Sequence, residues 1–169
     1  MDIVIRPVVP GEHTVLGEIT AQAYLGDGLL DFAEDDPYLR VLRDVAGRAA
    51  RAEVLVAAEP RGAVLLGGVT YVGGPGPLAD LAGPGEAEIR MLAVARDARR
   101  RGVGEALVRA CLERARAGGS RRVVLSTQDG MRTAHRIYER LGFRRAPHRD
   151  WRPRPDLPDL VLLAYELDL

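Results

Sequence analysis

Apolar positions along this chain recur at two spacings, and the changes from one to the other mark its elements. Ile3-Val4-Ile5 is a short apolar run closed by Pro7, which predicts a first strand. Val15, Leu16, Ile19 and Ala23 recur at helical spacing between Gly11 and Tyr24, and Gly26-Asp27-Gly28 ends the helix they predict. Leu39, Leu42, Val45 and Ala46 predict a second helix, opened by Pro37 and running to about Ala50. Two β-type runs, Glu53 to Ala58 and Ala63 to Val72, are joined by Pro60-Arg61-Gly62 as a hairpin. Gly67-Gly68 inside the second run predicts either a bulge or a place where another group comes close. Residues 73–85 are rich in Gly and Pro with little to bury, which predicts a mobile surface loop.

The second half repeats strand and helix. Ile89 to Val94 reads as a buried strand, and a helix with Ala106, Leu107, Ala110 and Cys111 on one face follows Gly102 and ends at Gly118-Gly119. Arg121 to Ser126 is a second buried strand. Arg132 to Leu141 is a helix with Ala134, Ile137, Tyr138 and Leu141 in phase, stopped by Gly142, and Phe143 starts a short strand. Leu160 to Leu169 is the last strand, alternating strictly in its second half as a strand with one wet face does. The order predicts an α/β fold with a mixed sheet.

One junction in this pattern carries chemistry. Leu92-Ala93-Val94 ends a strand, Arg99-Arg100-Arg101 follows, and Gly102-Val103-Gly104-Glu105 opens a helix. Glycines at 102 and 104 let a ligand approach the backbone without meeting a Cβ. The first N–H groups of a helix lack internal partners and the macrodipole adds positive potential, so the junction suits a phosphate. Three arginines add charge and bidentate donors. A Walker loop is excluded because the chain contains no lysine, and the dinucleotide fingerprint is excluded because position 107 is Leu rather than Gly.

Composition narrows the partners. The 169 residues suit one domain, taken as 1–169, with a sizeable core. Basic and acidic residues number 24 each, which argues against a nucleic-acid binder working through a global basic field. All the basic residues are arginine and asparagine is absent, which weakens any reading of a single arginine as chosen over lysine for its chemistry. Cys111, the one cysteine, falls on an apolar helix face and reads as a small core residue. No His/Asp/Glu cluster has metal spacing, so no metal is expected. The start of the chain lacks the charged and apolar regions of a signal peptide, and no apolar run approaches a membrane span, so the expected setting is cytoplasmic and away from membranes.

Arg-x-x-Gly-x-Gly after a strand ending Leu-Ala-Val resembles the acetyl-CoA loop of the GCN5-related N-acetyltransferases, the GNAT superfamily. Ala134-His135-Arg136-Ile137-Tyr138-Glu139-Arg140-Leu141-Gly142-Phe143 matches that family's second signature, Ala-x-x-x-Tyr-x-x-x-Gly-Phe. The order of elements resembles the family's fold over essentially the whole chain. The resemblance implies a largely antiparallel sheet, flanked by helices and splayed at the strand that binds acetyl-CoA. It implies an N-acetyltransferase acting on a primary amine of a small molecule or peptide by direct attack in a ternary complex, with acetyl-CoA as cosubstrate. A non-catalytic acyl-CoA-binding module is the alternative, and a homodimer is left open.

The resemblance also distributes roles. Backbone groups around Leu92, Ala93 and Val94 would pair with the pantetheine arm and polarise the thioester carbonyl. Arg101 through Glu105 would hold the pyrophosphate, with Arg99 and Arg100 adding charge around it, and Ala134 and Tyr138 would also bind the cofactor. Tyr138 would be the general acid for the leaving thiolate, and its spacing also suits a core tyrosine. Glu88 would be the base, directly or through water, or else a strand-entry acid beside Glu86. Strand parity puts Glu88 on the face of Leu92 and Val94. The family often carries Asn at the place of Met131, so Thr127, Gln128 or Thr133 would replace its hydrogen bond. His135 reads as a surface residue, and His13 and His148 are isolated. Asp31, Glu34, Asp35 and Asp36 fall where the family binds its acceptor. They would either attract a cationic amine or form a solvated helix flank.

Overall fold

Backbone hydrogen bonds join the strands edge to edge into one seven-stranded sheet. A computed structural model describes residues 2–61 and 63–169. In chain order these are β1 (Val4–Pro7), α1 (His13–Gly26), α2 (Tyr38–Arg43), α3 (Val45–Arg51), β2 (Glu53–Ala58), β3 (Leu65–Val72) and β4 (Glu86–Val94). Then come α4 (Val103–Ala117), β5 (Arg122–Thr127), α5 (Arg132–Arg140), β6 (Arg144–Arg145) and β7 (Leu163–Asp168). The strand order is β1-β2-β3-β4-β5-β7-β6. Among the described residues only β4 and β5 run parallel, joined by the α4 crossover; every other pair is antiparallel.

Both faces of the sheet are covered. Leu107, Val108, Cys111 and Ala115 of α4 pack with Leu55, Val69, Ile89, Val123 and Leu125 into the main core, which α5 closes with Tyr138. On the other face Leu16 of α1 and Val45 of α3 pack on Val54 and Val56, while Ala21, Leu39 and Leu42 gather around Met91. Cys111 is buried, and burial pushes its thiol up to about 12, in keeping with a core residue.

Three elements differ from the sequence pattern. The helix expected from Pro37 to Ala50 divides at Asp44, whose carboxylate accepts from the Gly47 N–H and caps α3 as a new start. The last strand begins at Leu163 rather than Leu160, because residues 151 and 162 form only an isolated bridge. The loop at 73–85 is tied to β4 by side chains of that strand: Glu86 accepts from Gly83, and Arg90 donates to the Leu78 carbonyl at 2.7 Å.

The Gly67-Gly68 pair serves both of the purposes open to it. The β2–β3 register shifts beside Gly67, and the β3–β4 register shifts between Gly68 and Thr70. A Cβ on Gly67 would come within 2.5 Å of the Ala93 carbonyl oxygen, and one on Gly68 would meet the Leu16 side chain. Gly67→Val is therefore expected to cost about 1–3 kcal/mol, because the atom it strikes is backbone and cannot swing aside. Urea unfolding checks this; an unchanged midpoint would mean that β3 and β4 separate at no cost.

Candidate active site

β5 leaves β4 partway along. Their ladder runs from Glu86↔Arg122 to Ile89↔Leu125 and stops, while β3 stays paired with β4 as far as Val94. Peptide groups of a strand point alternately to its two sides, so one row from residues 90–94 faces the gap where β5 has peeled away. Met91, in the left-handed region at φ 56°, is the extra residue of a bulge at this point.

The bulge overturns the parity assigned to Glu88. Leu92 and Val94 pack with Ile89 on the α4 side, whereas Met91 packs on the α1 and α2 side. One inserted residue reverses the alternation, so Glu88 does not share a face with Leu92 and Val94. It lines a cavity on the other side, together with Arg90 and Met91.

Beyond β4 a tight turn at 96–98 leads to the three arginines. Arg100 has φ 64° and Gly102 has φ 76°, two left-handed residues that swing the chain into α4. A Cβ on Gly102 would meet nothing within 4 Å, so the space above the α4 N-terminus is open. A Cβ on Gly104 would lie 3.0 Å from Ile137 Cδ1. The second glycine thus admits α5 against α4, and Gly104→Val would disturb helix packing. Arg99 forks onto Asp27 at 2.9 and 3.0 Å, and Glu105 pairs with Arg140 at 2.9 Å. These exposed pairs pin the loop to the end of α1 and to α5.

The cavity, of about 420 Å³, lies between the helical face of α1–α2, the splayed strands and the segment after β6. Ser126, Thr127, Gln128 and Met131 form the wall on the β5 side; Thr133 is exposed. Tyr24 and Tyr38 form the opposite corner with rings 6.3 Å apart, and Trp151 donates from Nε1 to Ser126 Oγ at 2.9 Å. Asp31 and Asp36 line the cavity too, while Glu34 and Asp35 do not. The acidic run is therefore split between the cavity and the surface.

Glu88 is fully buried at the cavity wall. Its Oε1 accepts from the peptide N–H groups of Leu81 (2.7 Å), Ala82 (2.9 Å) and Asp80 (3.1 Å). Burial pushes its carboxyl up, those donors pull it down, and the net displacement is upward. Glu86 takes no such place. Burial raises it, but Arg149 at 2.7 Å, the Gly83 N–H and Arg122 outweigh that and hold it low.

Tyr138 faces the main core, with the rings of Phe143 and Tyr165 each 5.8 Å away, and does not line this cavity. Its hydroxyl makes no hydrogen bond to another described residue, and burial raises its ionisation well above a free phenol's. The structure does not bring Tyr138 and Glu88 onto one wall. His135 corrects the surface reading: its Nε2 lies 2.9 Å from the Gln128 carbonyl and 3.2 Å from Thr127 Oγ1, and its ring packs on Tyr165.

Tyr24, Tyr38 and Trp151 were not singled out from sequence. The one available signal is a lone tryptophan inside a polar, proline-containing stretch, where nothing local requires it.

The sequence matches the profile of the Acetyltransferase (GNAT) family over residues 20–143. No curated protein matches it. Among solved structures it is similar to a ribosomal-protein-alanine N-acetyltransferase from Brucella melitensis, at TM-score 0.72 and 21% identity, covering 98% of this chain and 99% of that one. An acetyltransferase of the GNAT family from Staphylococcus aureus Mu50 gives 0.74 at 16% identity over 99% of both chains. The yncA protein of Salmonella typhimurium, solved with its cofactor acetyl-CoA, gives 0.70 at 19% identity over 99% of this chain and 94% of its own. The profile spans well over half the chain, the splayed seven-stranded sheet agrees with it, and the chain belongs to the GNAT acetyltransferase family.

Proposed function

We propose that the chain is one catalytic unit, residues 1–169, that transfers the acetyl group of acetyl-CoA to a primary amine of a small molecule or peptide in a ternary complex. The amine nitrogen, as the free base, attacks the thioester carbonyl carbon. The C–S bond breaks, the amide forms, and the departing thiolate takes a proton to leave as the CoA thiol. Two protons move: the ammonium loses one before attack, and the attacking nitrogen loses another as the amide forms.

The observation that carries this reading is the ladder ending at Ile89↔Leu125, just before a left-handed glycine at a helix N-terminus. The gap offers peptide groups of residues 90–94 to a pantetheine arm and to the carbonyl oxygen. Val103, Gly104 and Glu105 offer N–H groups to the pyrophosphate, with Arg99, Arg100 and Arg101 around it. Ala134, near the start of α5, lines the far side. Tyr138 is the general acid on this reading, and Glu88 is the base, directly or through water. A non-catalytic acyl-CoA-binding module is the second reading. The observation favouring it is the triple capping of Glu88, which leaves the base with few lone pairs to spare.

Calorimetry with CoA, followed by thiol release with a panel of amines, separates the two. Gly102→Val is expected to weaken CoA binding ~10-fold or more, because a β-branched residue resists φ near +76° and its side chain fills the space above α4. Unchanged affinity in a folded variant would remove the pyrophosphate from this place. Binding without turnover of any amine would favour the module.

A further inference from the structure

The acceptor end of the cavity has an apolar body and a skewed set of charges. Tyr24, Leu30, Tyr38, Trp151, Leu160 and Leu162 supply rings and branched chains. Four carboxylates, Asp31, Asp36, Asp80 and Glu88, share it with two guanidiniums, Arg90 and Arg154.

Neither guanidinium is left for a ligand's acid. Arg90 donates to the Leu78 carbonyl at 2.7 Å and pairs with Asp80 at 3.1 Å. Arg154 pairs with Asp156 at 2.7 Å, lies over the Phe32 ring and faces Asp36 at 3.8 Å. Asp156 is exposed and can move, but Asp36 cannot. It is 5% exposed, and its two oxygens accept the peptide N–H groups of Tyr38 (2.9 Å) and Phe32 (3.2 Å). A ligand carboxylate that displaced Asp156 from Arg154 would come to rest beside a fixed acid. A ligand carboxylate that stayed away from Arg154 would be desolvated against aromatic rings. A cationic amine meets the opposite field, with Asp31 and Glu88 outside both ion pairs.

We propose, resting on the N-acetyltransferase reading of this site, that the acceptor is a compact arylalkylamine or alkylamine without a carboxylate, rather than an amino acid. The volume is in keeping with this, since about 420 Å³ must take the acetyl end of the cosubstrate as well as the acceptor.

The test uses the full chain, acetyl-CoA, two amines with one skeleton, 2-phenylethylamine and phenylalanine, and a polyamine as a third, read as thiol release. The expected kcat/KM is about 100-fold higher for 2-phenylethylamine, because like charges set side by side are penalised strongly. Asp36→Asn keeps an oxygen for the Tyr38 N–H and removes the fixed charge beside Arg154. It is expected to shrink that preference about tenfold, a change in ratio that a general loss of packing would not produce. Equal or better use of phenylalanine by the parent overturns the proposal, and this comparison decides even if the variant does not fold. An unchanged ratio in a folded Asp36→Asn overturns the part given to Asp36. Acetylation of a polyamine with neither phenyl compound used overturns the apolar body. An absence of thiol release with every amine, while CoA still binds, instead overturns the acetyltransferase reading beneath it.

Discussion

Tyr138→Phe is expected to lower kcat by ~10²-fold or more while the affinity for acetyl-CoA stays within a few-fold, since general acid catalysis is worth ~10²–10⁴. The substitution removes one oxygen and keeps the ring against Phe143 and Tyr165. That oxygen holds no hydrogen bond with another described residue, so its loss leaves no buried partner stranded and the fold should keep its stability. Burial, and then Cys111 and Tyr165 nearby, raise the phenol's ionisation, so it stays protonated through any working pH. It is thus able to donate a proton to a thiolate and contributes no ionisation of its own to the pH–rate profile. Thiol-release kinetics and calorimetry on the same preparation check both halves. A kcat within a few-fold of the parent would mean that the thiolate departs without this proton.

The chain order of strands and helices was legible because most elements bury one continuous apolar face. The junction from β4 into α4 was legible because a glycine between a strand's end and an apolar-periodic run marks a helix start. What lay beyond reach were contacts that leave no mark on local spacing. The bulge at Met91 lies in Ile89-Arg90-Met91-Leu92-Ala93-Val94, apolar on both sides apart from one arginine, so nothing there signals a lost register. Parity counted across it gave Glu88 the wrong face. Gly102 and Gly104 look alike in sequence, yet one sits at a left-handed backbone angle and the other has Ile137 lying against it.

His135 misled for a related reason. One residue after Ala134, it read as facing outward, but α5 also meets Tyr165 and the end of β5, which widens its buried side. The walls of the cavity come from three distant stretches, near 24–38, 80–91 and 126–162. The second and third of these are also joined by an ion pair, Arg149–Glu86 at 2.7 Å, which no spacing rule anticipates.

Glu88 separates into a fold role and a chemical role, and two substitutions pull them apart. Glu88→Gln can place its carbonyl oxygen where Oε1 accepts from Asp80, Leu81 and Ala82, so the loop keeps its anchor. Glu88→Ala leaves three peptide N–H groups without an acceptor, which is expected to cost on the order of 3 kcal/mol or to open the loop. The two variants should therefore differ in stability. If the carboxylate takes the ammonium's proton they should agree in rate, both falling ~10²-fold near neutral pH. The pH dependence carries a sign. The Glu88 carboxyl is raised from its ordinary value of 4.5, chiefly by burial. A carboxyl raised on folding contributes stability below its unfolded value, and that contribution is lost as pH rises through its folded value. Glu88→Gln never charges, so it should gain stability relative to the parent as pH rises through that interval, read by urea midpoints at several pH values. Activity runs the other way: the parent's kcat/KM should fall as pH drops through the raised value, and Glu88→Gln should lack that limb. A profile for Glu88→Gln that matches the parent in height and shape, beside an unstable Glu88→Ala, would leave Glu88 as the anchor of residues 80–82 alone and assign proton removal to water.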